Sequence, residues 1–126
     1  MSDGLVLDTG ALLALERGDA RVRALLRRVL DRHMVLAVPA GVIAQSWRGG
    51  PRQARMARLL ADPAVGIPAL DDITARAVGL LSGRSGHRDV IDVHVVLCAR
   101  MHNFGVVSSD PNDLHRVDPR LDVIVV

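Results

Sequence analysis

The sequence predicts an α/β fold: a central, mainly parallel sheet of five strands flanked by helices. Three observations carry this. Short apolar runs alternate along the chain with longer stretches of helical periodicity. Cap and turn residues such as Asp19, Pro39, Gly49-Gly50 and Asp71 stand at the joins. And 126 residues, 49% of them hydrophobic, suffice for one domain with a real core, expected over 1–126.

The elements follow in order. Gly4-Leu5-Val6-Leu7-Asp8 reads as the first strand, followed by a helix over about 10–17. Asp19 caps a second helix that ends near His33, and 34–38 is the second strand. Pro39 suits the first turn of a third helix, which Gly49-Gly50 ends; Pro51 opens a fourth over 52–61. A short strand near 65–67 precedes a helix over 72–82 capped by Asp71, and 82–86 reads as a flexible break. Residues 89–102 form a helix with Val93, Val96, Leu97 and Met101 at core spacing. Then come a buried strand over 105–108, a short turn or helix over 111–115, and a last strand over 121–126.

Composition excludes several classes. No apolar run approaches the roughly 20 residues that span a bilayer. The opening MSDGLVLDTG has no basic stretch ahead of a long apolar run, so no secretory leader is expected. Cys98 is the single cysteine and reads as a buried bystander thiol, which with the rest fits a cytoplasmic protein. All 16 basic residues are arginine, a bias that reflects genome composition more than function. The formal net charge of +2 permits nucleic-acid binding without arguing for it.

The acidic residues say more. Asp8 closes the first strand, and Asp110 directly follows the 105–108 strand. In an open parallel sheet ligands bind beyond the carboxyl ends of the strands, where strand order reverses. If these two strands are neighbours, their carboxylates converge. The amino end of the 89–102 helix can then deliver Asp92 to the same place. Two carboxylates about 4 Å apart repel by roughly 4 kcal/mol at an effective dielectric near 20, so such a cluster raises its own pKa values or takes a cation. Oxygen ligands favour Mg²⁺ or Mn²⁺, and without a cysteine or histidine pair at ligand spacing zinc is not expected. A carboxylate-held divalent ion beside a cleft is the usual equipment of phosphodiester hydrolysis. Asp19, Asp71 and Asp72 read instead as helix caps, and Asp113 can equally be a turn residue.

Three segments carry a family resemblance. Leu7-Asp8-Thr9-Gly10-Ala11-Leu12-Leu13-Ala14-Leu15 resembles the opening of PIN domains. Val90-Ile91-Asp92-Val93-His94-Val95-Val96 resembles their helix with the third acidic position, and Ser108-Ser109-Asp110-Pro111-Asn112-Asp113-Leu114 the stretch with the fourth. Order, spacing and length are similar to those of VapC toxins from about residue 4 onward. The resemblance implies a three-layer PIN-like fold and endoribonuclease activity with Mg²⁺ or Mn²⁺. It also implies a homodimer and inhibition by a VapB-type antitoxin whose tail packs over the cleft. It makes Asp8, Asp92 and Asp110 metal ligands and catalytic residues, with Asp89 and Asp113 holding ligands or water. One position departs: where the family usually has an acidic residue, this chain has Gln45, whose amide brings no charge. Glu16, close in sequence to Asp8, is a possible compensating carboxylate or an ordinary helix residue.

Arg48, Arg52 and Arg55, with Arg58 beyond them, form a basic flank able to guide an RNA backbone, or simply a solvated helix face. Trp47 and Phe104 are the only aromatics, so no stacking platform for unpaired bases is expected. Trp47 reads as packing, His94 and His102 as structural, and His87 as the histidine to test. Apolar residues of the first, second and fourth helices could form a groove for an antitoxin helix. A non-catalytic PIN-like binding module and a DNA nuclease on the same scaffold stay open. A receiver-like phosphoacceptor is set aside, because Asp8 has no acidic neighbour and the chain has no lysine.

Overall fold

A computed structural model describes residues 3–126 of the chain. Among them are five strands, β1 (Gly4–Leu7), β2 (Val35–Ala37), β3 (Val65–Gly66), β4 (Gly105–Ser108) and β5 (Val123–Val125). Seven α-helices lie between and around these: α1 (Thr9–Glu16), α2 (Ala20–Asp31), α3 (Ala40–Ser46), α4 (Ala54–Ala61), α5 (Asp72–Ser85), α6 (Val90–His102) and α7 (Pro111–Val117). The sheet order is β3-β2-β1-β4-β5 and every pairing is parallel, so the expected mainly parallel sheet is parallel throughout.

That order positions the site. From β1 the chain builds outward through β2 and β3, then crosses back over α5 and α6 to lay β4 on the other side of β1. Leu7 pairs with Val107, so the carboxyl ends of β1 and β4 lie side by side at the point of reversal. Both strands are buried along their whole length, which explains why they read as unbroken apolar runs.

Aspartates start the helices. Asp19 Oδ1 accepts from the Arg21 and Val22 N–H groups, Asp71 from Thr74 and Asp89 from Ile91 and Asp92. Each such cap stabilises its helix by about 1 kcal/mol. Asp8 also caps a helix: its Oδ1 accepts from Ala11 N–H at 2.9 Å, so α1 begins at Thr9, directly after the strand.

Several expectations shift. Pro39 is the residue before α3 rather than in its first turn, and α3 stops at Ser46 because Trp47 turns extended, ahead of Gly49-Gly50. A 3-10 turn over Pro51–Gln53 precedes α4. There is no break at 82: α5 runs on to Ser85, where Gly86 in the left-handed conformation ends it. The 111–115 segment is a helix reaching Val117, and the last strand shortens to 123–125. Met101, expected in the core, is 69% exposed. The end of α6 lies against α5 rather than the sheet, and Met101 borders an outer groove with Leu80 and Leu97. Trp47, expected to pack, is exposed. Cys98 is buried, and burial pushes its thiol up to about 11, so it is unreactive. Among the described residues no helix is long and apolar enough to cross a membrane.

Candidate active site

Asp8 is the innermost acidic group of the chain, 6% exposed at the carboxyl end of β1. Its position follows from the β1–α1 turn, which makes one side chain both strand end and helix cap. Besides Ala11 N–H it receives the hydroxyl of Ser108, the last residue of the neighbouring β4. Burial raises its pKa above 3.8 and the nearby Asp110 charge adds to this, while hydrogen bonds from the Ser108 hydroxyl and the Ala11 and Gly10 N–H groups pull it back down. Gly10 lets the β4–α7 loop come in, since a Cβ there would collide with the Ser109 side chain and lie 3.6 Å from Asp8 Oδ1.

Asp92 stands in the first turn of α6. It is half-buried, and burial together with the charges of Asp89 and Asp8 raises its pKa. The opposing effect is a hydrogen bond from His87, whose Nε2 lies 3.0 Å from Asp92 Oδ2. Gly41 allows α3 to approach here: a Cβ on it would sit 3.2 Å from Ile91 of α6.

Asp110 is exposed at the start of α7, caps nothing with its side chain, and has its N–H held by Ser108 Oγ at 2.9 Å. Asp8 is thus close enough to both Asp110 and Asp92 for their charges to act on one another. Asp89 is occupied in capping α6, and Asp113 lies 3.7 Å from Arg116 Nη1 on the exposed side of α7.

Gln45, at the end of α3, accepts the Thr9 hydroxyl on its Oε1, so it stands beside the residue that follows Asp8. Glu16 does not replace its missing charge. Gln53 Nε2 donates to Glu16 Oε1 at 2.7 Å and also to the Ser46 carbonyl. The buried Gln53 amide completes its set by accepting from Arg48 N–H and Gly49 N–H, and so pins the loop after α3 to the end of α1.

The basic flank divides. Arg48 folds back to donate to the Ala44 and Trp47 carbonyls at the end of α3. Arg55 lies over Gly18 and donates to the Glu16 carbonyl at the end of α1. Both occupy helix C-termini, where a cation is favoured. Arg52 makes no hydrogen bond or ion pair among the described residues and lines a cleft beside Gln45.

The donor chemistry fits a hard divalent cation. No arginine or histidine pairs with Asp8 or Asp110 among the described residues, and the Asp110 charge adds to the raised pKa of Asp8 as the Asp8 charge adds to that of Asp92. An ion relieves that repulsion. Among the described residues no three His, Cys, Asp or Glu side chains form a ready-made cage. Mg²⁺ and Mn²⁺ often take only one or two protein carboxylates and complete their shell with water and phosphate oxygens.

Sequence reasoning singled out Asp8, Asp92, Asp110 and His87, but it gave no role to Ser108 or Thr9, which hydrogen-bond Asp8 and Gln45. Their only signal was a hydroxyl residue two before Asp110 and one just after Asp8.

Two solved structures share the fold. A structure of FitAB bound to an IR36 DNA fragment superposes with a TM-score of 0.68 at 16% identity, covering 96% of this chain and 94% of that one. The crystal structure of FitAcB from Neisseria gonorrhoeae gives 0.65 at 17% identity, with 95% and 96% covered. At such identities the likeness is one of fold. Among curated proteins no relative matches the sequence. Residues 5–119, spanning all three aspartates and both site hydroxyls, match the PIN domain, and the chain belongs to the PIN domain family.

Proposed function

We propose that the chain is a metal-dependent endoribonuclease of the VapC type, acting in the cytoplasm as the toxin of a toxin–antitoxin pair. PIN domains are typically nucleases that use divalent metals. The observation that carries the reading is the buried Asp8 at the carboxyl end of β1, beside the end of β4 that leads into Asp110 and near enough to Asp92 for their charges to interact.

Asp8, Asp92 and Asp110 would hold Mg²⁺ or Mn²⁺, with Asp8 at the centre. When bound, the ion supplies charge neutralisation at the scissile phosphate and activation of the attacking water. Ser108 fixes Asp8 and the Asp110 backbone relative to each other. Arg52, free beside Gln45, is the basic side chain best placed to meet the RNA backbone, since Arg48 and Arg55 are spent on helix ends.

The partner reading rests on a groove of about 530 Å³ between α2 and α4. Leu26, Leu30 and Leu59 line it, and Arg23, Arg27, Arg55 and Arg58 outnumber Asp31 and Asp62 there. An amphipathic antitoxin helix with acidic flanks suits such a groove. A homodimer is the family's expected assembly.

Gln45 favours a second reading, a binding module without catalysis, because one of the family's usual acidic positions carries no charge here. One experiment separates the two: growth arrest and RNA cleavage by wild type, Asp8→Ala and Asp92→Ala, with Mg²⁺, Mn²⁺ or EDTA in the cleavage assay. Metal-dependent cleavage lost in both variants supports the nuclease. Equal behaviour of all three proteins sinks it in favour of the binding module.

A further inference from the structure

The segment joining α5 to α6 carries a histidine that the proposed chemistry does not use. The His87 side chain is only 12% exposed, and its Nε2 lies 3.0 Å from Asp92 Oδ2. An ionised carboxylate only accepts, so Nε2 carries the hydrogen. The backbone of His87 is held at both of its polar atoms. Ser82 Oγ donates to the His87 carbonyl at 2.6 Å, and His87 N–H donates to Ser85 Oγ at 3.3 Å. Gly86, left-handed at φ 74°, turns the chain so that these contacts form. The backbone that carries the imidazole is thereby fixed to the last turn of α5.

Asp92 is held from the other side as well. Asp89 Oδ1 takes the Asp92 N–H at 3.2 Å and sets the start of α6. Its backbone is thus fixed by one neighbour and its carboxylate by another. A half-buried aspartate without such contacts would populate several rotamers, and ordering them would weaken any ligand that needs one.

We propose that His87 is a positioning residue: it occupies one oxygen of Asp92 and leaves the other for a divalent cation in the cleft shared with Asp8. The histidine so sets the affinity of that cleft, through geometry and without touching substrate. This rests on the reading of Asp92 as an ion-holding residue, so the experiment must separate the two.

Mn²⁺ titration of the full chain at one pH, read by the paramagnetic signal of the free ion, with thermal melting in parallel, provides the test. His87→Ala weakens Mn²⁺ binding about tenfold, the lower end of what outer partners of metal ligands contribute. His87→Gln, whose amide N–H can still reach Asp92, recovers most of the loss. The pair Ser82→Ala and Ser85→Ala together gives a smaller loss in the same direction. A purely structural His87 would lower the melting temperature and leave Mn²⁺ affinity unchanged, which overturns the inference. Asp92→Asn is the control. If it binds Mn²⁺ like wild type, the metal reading fails and takes the inference with it. If it loses binding while His87→Ala does not, the inference alone is wrong. Should His87→Ala not fold, His87→Phe, which keeps a ring but has no N–H to donate to Asp92, takes its place: weaker Mn²⁺ binding supports positioning, and wild-type affinity while Asp92→Asn binds poorly overturns it.

Discussion

Ser108 donates its hydroxyl to Asp8 across the β1–β4 pairing, while the same oxygen accepts the Asp110 N–H at 2.9 Å. One buried hydroxyl thus ties the Asp8 carboxylate to the backbone of Asp110. Ser108→Ala takes a donor from a buried carboxylate and leaves the Asp110 N–H without its acceptor. The expected cost is about 1–3 kcal/mol in denaturant unfolding. Cleavage at saturating metal should fall roughly tenfold, the effect typical of a lost outer partner. Wild-type cleavage in this variant would mean that the Asp8–Asp110 geometry is set elsewhere.

Gln45 is held by the Thr9 hydroxyl at the position where an acidic residue is usual in the family. Gln45→Glu restores a charge at nearly constant shape. A carboxylate several ångströms from a bound cation contributes a few kcal/mol at most at an effective dielectric near 20. Mn²⁺ affinity should therefore rise about tenfold or more, read by calorimetry. Without metal the same variant should melt lower than wild type, since it adds repulsion to Asp8. Unchanged affinity would place Gln45 outside the reach of the ion.

How much of this was legible in the sequence follows from the range of each interaction. The strands and the caps Asp19 and Asp71 were legible, because strand burial and capping are local, whereas Asp72 lies inside the first turn of α5 and Asp89, expected to hold ligands or water, caps α6. Asp8 and Asp110 were legible through one general rule about parallel sheets. The end of α5 was not, since Ser82, Gly83 and Gly86 all read as a break and only the conformation of Gly86 decides which one stops the helix. Met101 kept helical spacing yet faces α5, and periodicity does not say which partner a stripe meets. The arginines were least legible: Arg55 reaches the end of α1, near it only in the folded chain, and Arg48 folds back on the end of its own neighbouring helix instead of facing out. His87 could be singled out, but its hold on Asp92 depends on how α5 meets α6.

Asp8 and Asp92 both have raised pKa values, chiefly through burial. Between the free value of 3.8 and the raised one, the native chain binds more protons than the unfolded chain. Stability of the metal-free protein therefore falls as pH rises through that window, and the loss persists at neutral pH. Asp8→Asn keeps an acceptor for Ala11 N–H, and Asn caps a helix as well as Asp. At pH 7 without metal this variant should melt above wild type by about 3–6 °C, the shift that roughly 1 kcal/mol produces in a domain of this size. Added Mg²⁺ should raise the wild-type melting temperature and leave the variant where it was. A variant that melts lower than wild type without metal would show that the Asp8 charge is already compensated by the protein.

His94 tests the opposite slope. It is 1% exposed on α6, and among the described residues neither ring nitrogen has a hydrogen-bond partner. Burial lowers its pKa below 6.5, and the Asp71 charge at the start of α5 only partly offsets this. The native ring is then neutral where the unfolded one begins to protonate. Stability is complete above 6.5 and is lost as pH falls toward the depressed native value, because the unfolded chain binds the extra proton. His94→Leu removes both the orphaned nitrogens and the titrating group at similar volume. Relative to wild type, it should gain about 1–2 kcal/mol at pH 7 and more at pH 5.5 in denaturant unfolding. A variant whose advantage stays constant between the two pH values would show that His94 does not titrate in that range in either state. One that is less stable at both would mean that the ring's packing against α5 outweighs its unmet hydrogen bonds.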